Sequence, residues 1–255
     1  MPCFAETTGL MGVFKFRKFE VRNEKSAMKV NTDGVLLGAV MTLSGNERHL
    51  LDVGTGTGTV ALMAAQRLSE MGNDSFFIEA PDIDGASAEE AGENFRNSPW
   101  DRHLLAHHCP LAEFSPQEKF DHIFSNPPFF TETLHSPSVR KARARHADSL
   151  PLEEIIEFAA KNLCEDGRLS LILPFEREEE ASYLASGHGL YAFRCVDIQG
   201  SERKSAYRTI MEFSRDRGQD AAPSRENITI NMNGKYSEQY LNIVSEFLLL
   251  DSGKL

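Results

Sequence analysis

Short apolar runs alternate along the chain with longer segments that carry apolar residues on one side only. The runs with the length of buried strands lie near 50–53, 76–82, 104–109 and 119–125. Between them, apolar residues recur with helical spacing over 59–70 and 85–97. Strands that alternate with helices pair in parallel through right-handed crossovers. The pattern therefore predicts an α/β, Rossmann-like fold with a mostly parallel sheet.

The second half of the chain completes this sheet. Its pattern predicts a helix, a buried strand and a helix over 152–163, 168–173 and 176–186. The segments 191–198 and 207–213 predict an antiparallel pair at the sheet edge. Together these elements predict a seven-stranded sheet with helices on both faces.

We predict a single domain over residues 1–255 with three parts. Residues 1–45 form an N-terminal extension, in which alternation from Phe14 to Val21 predicts a hairpin. The stretch from Asp33 to Leu43 predicts a short helix with Thr32 or Asp33 as its cap. Residues 46–215 form the core. Residues 216–255 add a strand, an Asn-Gly turn and a helix that ends near Leu250.

The composition fits a folded domain without a membrane span. Hydrophobic residues make up 41% of the 255 positions, and no apolar run is long enough to cross a bilayer. The N-terminus lacks the basic and apolar regions of a signal peptide. Four cysteines lie far apart without C-x-x-C spacing, which indicates neither a metal site nor a disulfide framework. We expect a monomer without bound metal, in the cytoplasm.

The net charge of −11 argues against nonspecific nucleic-acid binding by the whole surface. Two segments are nevertheless basic. The first spans residues 15–29, and both a solvated face and a nucleic-acid contact remain open for it. The second, Arg140 to His146, favours phosphate binding because it follows a candidate catalytic turn.

That turn consists of Asn126, Pro127, Pro128 and Phe129 and follows the strand predicted over 119–125. An amine conjugated to a ring or a carbonyl is a poor nucleophile, because its lone pair is delocalised. Two acceptors aimed at its N–H groups, here the Asn126 side-chain oxygen and the Pro127 carbonyl, would localise that lone pair. The prolines stiffen the turn, and Phe129 offers a flat face for a planar substrate. For the tetrapeptide alone, a structural proline turn is the alternative.

A glycine-rich turn, Gly54-Thr55-Gly56-Thr57-Gly58, follows the first core strand and precedes a helix. This is the nucleotide-binding opening of a doubly wound sheet. Its spacing differs from the G-x-G-x-x-G of dinucleotide enzymes, which argues against a nicotinamide oxidoreductase. Asp52 before the first glycine suits a ligand with an ammonium group, and glycine lets the backbone approach that ligand closely. We therefore predict S-adenosylmethionine (SAM) as the cofactor.

The second strand ends with polar residues at the edge where such sheets bind ligands. Asp82 can bridge two ribose hydroxyls there, and Ile83 can pack on the adenine ring. Asp84 is predicted to cap the helix that follows. Without the glycine turn, both aspartates would be interpreted as ordinary loop residues.

Further segments extend the pattern: 28–39 (MKVNTDGVLLGA), 97–100 (NSPW), 125–130 (SNPPFF) and 144–146 (ARH). With the glycine turn, they resemble the bacterial valine-tRNA adenine-N6 methyltransferases, a class I SAM-dependent family that methylates the adenine just 3′ of the anticodon. The resemblance extends from about Phe14 to Leu250. The segment 28–39 is more specific to the family than the SAM and NPPF motifs, which many methyltransferases share.

The resemblance implies SAM contacts from the matching positions Lys29, Thr32, Asp52, Gly54, Gly56, Gly58 and Asp82. Asp82 would hold the ribose, whereas Lys29 and Thr32 would lie near the methionine end. Leu111 would offer its backbone N–H to the adenine. Pro110 occupies a position where a polar residue often contacts the adenine amine, which indicates weaker SAM binding than in relatives.

The resemblance implies that Asn126 and Pro127 accept hydrogen bonds from the adenine amine. Phe129 and Phe130 would stack on the base. The tRNA backbone would meet the basic side chains of Arg140, Lys141, Arg143 and Arg145.

Other functions share this chemistry or this fold. Enzymes with similar turns methylate guanine-N2 of ribosomal RNA, protein glutamine amides and adenine in DNA. A noncatalytic SAM- or RNA-binding module is a hypothesis of another class. It is suggested by Asn31 and Val40 where the family has glycine and tryptophan, and by Pro110. The intact NPPF turn favours an enzyme.

Overall fold

The computed structural model describes residues 12–128, 150–216 and 222–249. The strands are β1 Val13–Lys15, β2 Glu20–Arg22, β3 His49–Val53, β4 Phe77–Asp82, β5 Leu104–His108, β6 Phe120–Ser125, β7 Leu163–Pro174, β8 Tyr191–Ser201, β9 Ala206–Ser214, β10 Ser224–Met232 and β11 Lys235–Tyr236. The helices are α1 Thr32–Val40, α2 Thr59–Glu70, α3 Gly85–Arg96, α4 Leu152–Asn162, α5 Glu178–Gly187 and α6 Glu238–Val244.

One large sheet runs in the order β11-β10-β8-β9-β7-β6-β3-β4-β5. The strands from β5 to β7 are parallel, and β9 runs antiparallel between β7 and β8. The predicted α/β class is therefore confirmed.

The predicted strand count of seven and the edge position of the antiparallel pair are wrong. The described part of the chain holds nine strands in this sheet, because β10 pairs in parallel with β8 and β11 pairs with β10. An exposed strand edge presents unpaired backbone groups, and the C-terminal segment satisfies those of β8.

Several predicted element boundaries also change, and helix α1 ends at Val40 instead of Leu43. The cap of α1 is Asn31, whose side chain accepts from the Gly34 N–H, and not Thr32 or Asp33. Strand β7 begins at Leu163, which pairs with Phe120 before a register shift. The C-terminal helix ends at Val244 and is preceded by β11.

Apolar side chains fill both faces of the sheet. Helices α1, α2, α3 and α6 pack on one face with the β1–β2 hairpin, and α4 and α5 pack on the other. The predicted hairpin is confirmed, and it docks on the C-terminal segment through a Phe16–Leu248 bridge. In the described segments, no helix has the length and apolar character needed to cross a membrane.

The strand register positions the candidate site. Val53 of β3 lies opposite Ser125 of β6, so the two strands end at the same level. The glycine turn after β3 and the Asn126 turn after β6 therefore leave the same carboxyl edge side by side.

Candidate active site

The glycine turn has a backbone that only glycine adopts without strain. Gly54, Gly56 and Gly58 have φ angles of 68°, 57° and 79°, all in the left-handed region. The Gly54 N–H donates to the Pro81 carbonyl at 2.9 Å, which ties the turn to the end of β4. A Cβ on Gly58 would lie 2.4 Å from the Phe95 ring, so the turn also packs tightly onto α3.

Asp52 is a fully buried carboxylate beneath this turn. Its Oδ2 accepts from the Thr55 hydroxyl at 2.7 Å and from the Ala61 N–H at 3.2 Å, which joins the turn to the start of α2. Both bonds go to Oδ2, so Oδ1 keeps its capacity to accept. Burial raises the pKa of Asp52 to about 7. A cation beside this carboxylate would be stabilised by a charge that water screens little.

Asp82 lies at the end of β4 with its carboxylate turned toward the same turn. One oxygen accepts from the Gly56 N–H at 2.8 Å and the other from the Asp84 N–H at 2.9 Å. Burial raises the pKa of Asp82. An ionised carboxylate has about four lone-pair positions, so two hydroxyl donors can still be accommodated. The predicted cap is confirmed, because Asp84 accepts from the Ser87 N–H at 2.9 Å.

Apolar groups flank Asp82 on the side of β5. Ile83 is 49% exposed, which is high for a large aliphatic side chain beside a sheet edge. Leu111 begins a single 3-10 turn after Pro110 and is buried. The Cys109 N–H donates to the Asp82 carbonyl at 3.1 Å and draws this loop toward β4. Ile83 and Leu111 thus follow the carboxyl ends of the neighbouring strands β4 and β5.

Asn126 begins the turn after β6, and Pro127 next to it is buried. The Asn126 Nδ2 lies 3.4 Å from Asn31 Oδ1 and 3.6 Å from Met28 Sδ. Neither Met28 nor Asn31 was predicted as a partner of Asn126. They are 98 and 95 positions away, and no local sequence signal announces such a contact.

One cavity is lined by part of the predicted cofactor site together with Asn126. Its lining consists of Met28, Lys29, Val30, Asn31, Gly34, Asp52, Gly54, Thr55, Gly56, Thr57, Thr59, Val60 and Asn126. The other predicted cofactor residues, Thr32, Gly58, Asp82, Ile83 and Leu111, are outside this lining.

Lys29 lines the cavity, but its ammonium group donates to the Glu24 carbonyl at 2.6 Å. Thr32 is the first residue of α1. The predicted Phe129 and the substrate residues Phe130, Arg140, Lys141, Arg143 and Arg145 lie outside the described residues.

The basic segment over 15–29 is largely neutralised by acidic partners. Its ion pairs join Lys15 to Glu20, Lys18 to Glu70, Arg22 to Glu93, and Lys25 to both Glu89 and Glu93. Of the two interpretations left open by the sequence, this favours a solvated face. No group of His, Cys, Asp and Glu suited to a metal ion occurs within the described ranges.

Comparison with known proteins adds relatives that cover most of the chain. The methyltransferase small domain model matches residues 26–181. A tRNA1(Val) (adenine(37)-N6)-methyltransferase from Flavobacterium psychrophilum is 41% identical over 80% of this chain and 86% of its own length. Proteins of the same name from Christiangramia forsetii and Vibrio parahaemolyticus are 36% and 35% identical, each over 92% of this chain and over 97% and 95% of their own lengths.

Solved structures share the fold at low identity. A predicted O-methyltransferase from Agrobacterium tumefaciens aligns with a TM-score of 0.61 at 16% identity and covers 84% of this chain and 96% of its own. A protein named as a class I SAM-dependent methyltransferase from Listeria monocytogenes aligns with a TM-score of 0.55 at 16% identity, over 77% of this chain and 62% of its own. The architecture is therefore that of class I methyltransferases.

Proposed function

The chain belongs to the methyltransferase small domain family and, within it, to the tRNA1(Val) (adenine(37)-N6)-methyltransferases, and from this premise we propose that it methylates the exocyclic N6 of adenine 37 in a valine tRNA. The methyl donor is SAM. The observation that supports the reaction most directly is the Asn126 side chain, which lines the same cavity as Asp52 and the glycine turn.

Residues that line the cavity, and others at the end of the neighbouring strand β4, fit the chemical groups of SAM. The buried Asp52 carboxylate suits the ammonium group, and the open backbone of Gly54 and Gly56 allows close approach. Asp82 suits the ribose hydroxyls, and the exposed side chain of Ile83 suits the adenine face. When bound, SAM supplies a methyl group on a cationic sulfur, and the neutral thioether leaves after transfer.

We propose that Asn126 and Pro127 activate the attacking amine. The Asn126 side-chain oxygen and the Pro127 carbonyl accept from the two N6 hydrogens, which turns the nitrogen lone pair out of conjugation with the ring. With its lone pair localised by these two acceptors, the nitrogen would be able to take up the methyl group that bound SAM would supply. The methylated amine loses its extra proton to water afterwards, so no strong general base is required.

We propose that substrate binding combines stacking with phosphate contacts. The target base must leave its stack, which costs a few kcal/mol and less in a loop than in a duplex. Phe129 and Phe130 would stack on the extruded base. Arg140, Lys141, Arg143 and Arg145 would contact phosphates and orient the tRNA without reading its sequence.

The first test is methyl transfer from labelled SAM to unmodified bulk tRNA, followed by nucleoside analysis. N6-methyladenosine in the valine tRNA is the expected product. Label in guanine-N2 of ribosomal RNA or in protein glutamine, with tRNA unlabelled, would replace the proposed substrate. SAM binding without transfer to any of these substrates would indicate a noncatalytic binding module.

A second test of the proposed reaction is the Asn126→Ala variant. Because this change removes an acceptor for the amine but none of the predicted SAM contacts, turnover should fall below detection. SAM affinity, measured by calorimetry, should stay within about tenfold, since one neutral hydrogen bond at most is affected. Turnover that survives in Asn126→Ala would refute the catalytic role.

A further inference from the structure

The Asn31 side chain has both ends of its amide held by the main chain. Its Oδ1 accepts from the Gly34 N–H at 2.8 Å, and its Nδ2 donates to the Lys29 carbonyl at 2.9 Å. An N–H can only donate and a carbonyl can only accept, so these two contacts define which end is oxygen and which is nitrogen. The amide of Asn31 therefore has one orientation.

This orientation decides the orientation of Asn126. The Asn126 atom that lies 3.4 Å from Asn31 Oδ1 must be a donor, and it is Nδ2. The same Nδ2 lies 3.6 Å from Met28 Sδ, which is a weak acceptor. The reverse orientation would bring two amide oxygens together. Consequently the Asn126 Oδ1 is turned away from Asn31 and Met28, and no group in the described part of the chain donates to it.

We propose that Asn31 is a positioning residue that presents the Asn126 oxygen to the substrate amine. The inference rests on the proposed function, in which that oxygen accepts from the adenine N6. An Asn126 amide turned by half a revolution would present N–H groups to the N–H groups of the substrate. The two donors would repel, and the lone pair of the amine would stay delocalised.

The helix that Asn31 caps is itself anchored, so the positioning contact has a rigid base. Asp33 in the first turn of α1 accepts from Arg208 Nε of β9 at 2.7 Å. A chain of hydrogen bonds thus leads from the backbone of Lys29 and Gly34 through Asn31 to Asn126. Asn31 touches no reacting atom in this arrangement.

Two substitutions separate positioning from helix capping. Asn31→Ser keeps a good cap for α1, but its hydroxyl is too short to reach Asn126 as well. Asn31→Asp keeps an oxygen for both the Gly34 N–H and the Asn126 amide. We expect kcat to fall about tenfold in Asn31→Ser, the factor that one neutral hydrogen bond supports. In Asn31→Asp we expect a kcat between those of Asn31→Ser and wild type, because its second oxygen faces the Lys29 carbonyl where the native Nδ2 donates.

The experiment measures kcat and KM with valine tRNA, SAM affinity by calorimetry, and thermal unfolding for both variants. A lower kcat in Asn31→Ser with unchanged SAM affinity and melting temperature, together with partial recovery in Asn31→Asp, supports the proposal. Wild-type kcat in Asn31→Ser overturns it. A parallel loss of melting temperature or SAM affinity in Asn31→Ser overturns it too, because the residue would then be structural. Asn126→Ala with normal turnover would instead refute the proposed function on which it rests.

Discussion

Gly58 and Gly72 share a left-handed backbone, with φ angles of 79° and 80°, but their surroundings differ. A Cβ on Gly58 would lie 2.4 Å from the ring of Phe95, which is buried in the core. A Cβ on Gly72 would meet nothing within 4 Å. The two positions therefore separate the cost of the backbone conformation from the cost of the missing space.

Gly58→Ala should destabilise the protein more than Gly72→Ala. Left-handed backbone costs a non-glycine residue about 1–2 kcal/mol at either site. At Gly58, overpacking against Phe95 adds about 1–3 kcal/mol, because a close-packed core yields little. Denaturant unfolding of both variants measures the difference. Equal losses would show that Phe95 moves aside at no cost.

Replacing the Asp52 carboxylate with a neutral amide should stabilise the fold and weaken SAM binding. Burial raises its pKa from 3.8 to about 7, so the folded state holds a proton that the unfolded chain has lost. Stability is therefore lost as pH rises from about 4 through about 7. Asp52→Asn removes this loss, and its unfolding free energy relative to wild type should increase over that window by up to a few kcal/mol. In the proposed function Asp52 balances the charge of the SAM ammonium group, so the SAM affinity of Asp52→Asn should fall at least about tenfold.

The control for this variant is Asp74→Asn, at an exposed position in the turn before β4. It should follow the wild-type protein in both stability and SAM affinity at every pH. An Asp52→Asn stability difference that does not change with pH would contradict the burial argument.

At the scale of elements, the segment after α1 is fastened to the sheet through Glu212 of β9. This fully buried carboxylate accepts from the Thr42 N–H and hydroxyl at 2.7 and 2.6 Å, from Ser170 Oγ at 2.8 Å, and from Arg194 at 2.9 Å. Burial alone would raise the pKa of Glu212, but the bonds from Thr42 and Arg194 outweigh it and lower the pKa. The network holds α1, and with it Asn31, against the sheet.

Glu212→Gln should therefore destabilise the fold by about 3–5 kcal/mol, the loss expected when one partner of a buried ion pair is removed. The nitrogen of the new side-chain amide would also face the donors of Thr42 or Arg194, which need an acceptor. Glu226→Gln is the matched control, because Glu226 pairs with the same Arg194 but its side chain is 55% exposed. That change should cost less than about 1 kcal/mol. Urea titrations that give equal losses for the two variants would rule out the network as the anchor of α1.

At the scale of the whole molecule, the protein is acidic, but two of its segments are basic. The net charge is −11, and the basic segment 15–29 faces acidic partners on β2, α2 and α3. The other basic segment, 140–146, lies outside the described residues. If tRNA binding depends on phosphate contacts, we expect this second segment to supply them.

Replacing Arg140, Lys141, Arg143 and Arg145 with alanine should weaken tRNA binding and flatten its salt dependence. Each lost phosphate contact lowers the slope of log K against log salt by about 0.7 for a single strand, so the total change is up to about 3. A double alanine variant at Lys15 and Lys18 should keep the wild-type slope. Filter binding over a salt series measures both. An unchanged slope in the first variant would exclude these four residues as phosphate contacts.

The sequence alone determined the features that have a local cause. Strands and helices follow from the spacing of apolar residues, and the left-handed turn after β3 follows from three glycines. Asp84 was predictable as a cap because capping acts within a few residues. The cofactor class followed from the same segments, since Asp52 and the glycines lie close together in sequence.

Only the tertiary structure decided which distant groups meet. The pairing of β10 with β8, the burial of Glu212 and the contact of Asn31 with Asn126 join residues far apart in the chain. Asn31 shows the reason most clearly. Its helix-capping role is local, although the sequence pattern placed the cap one or two residues later. Its contact with Asn126 exists only because β6 ends beside α1. Local sequence patterns cannot predict such contacts, because the contacts depend on how whole helices and strands pack together.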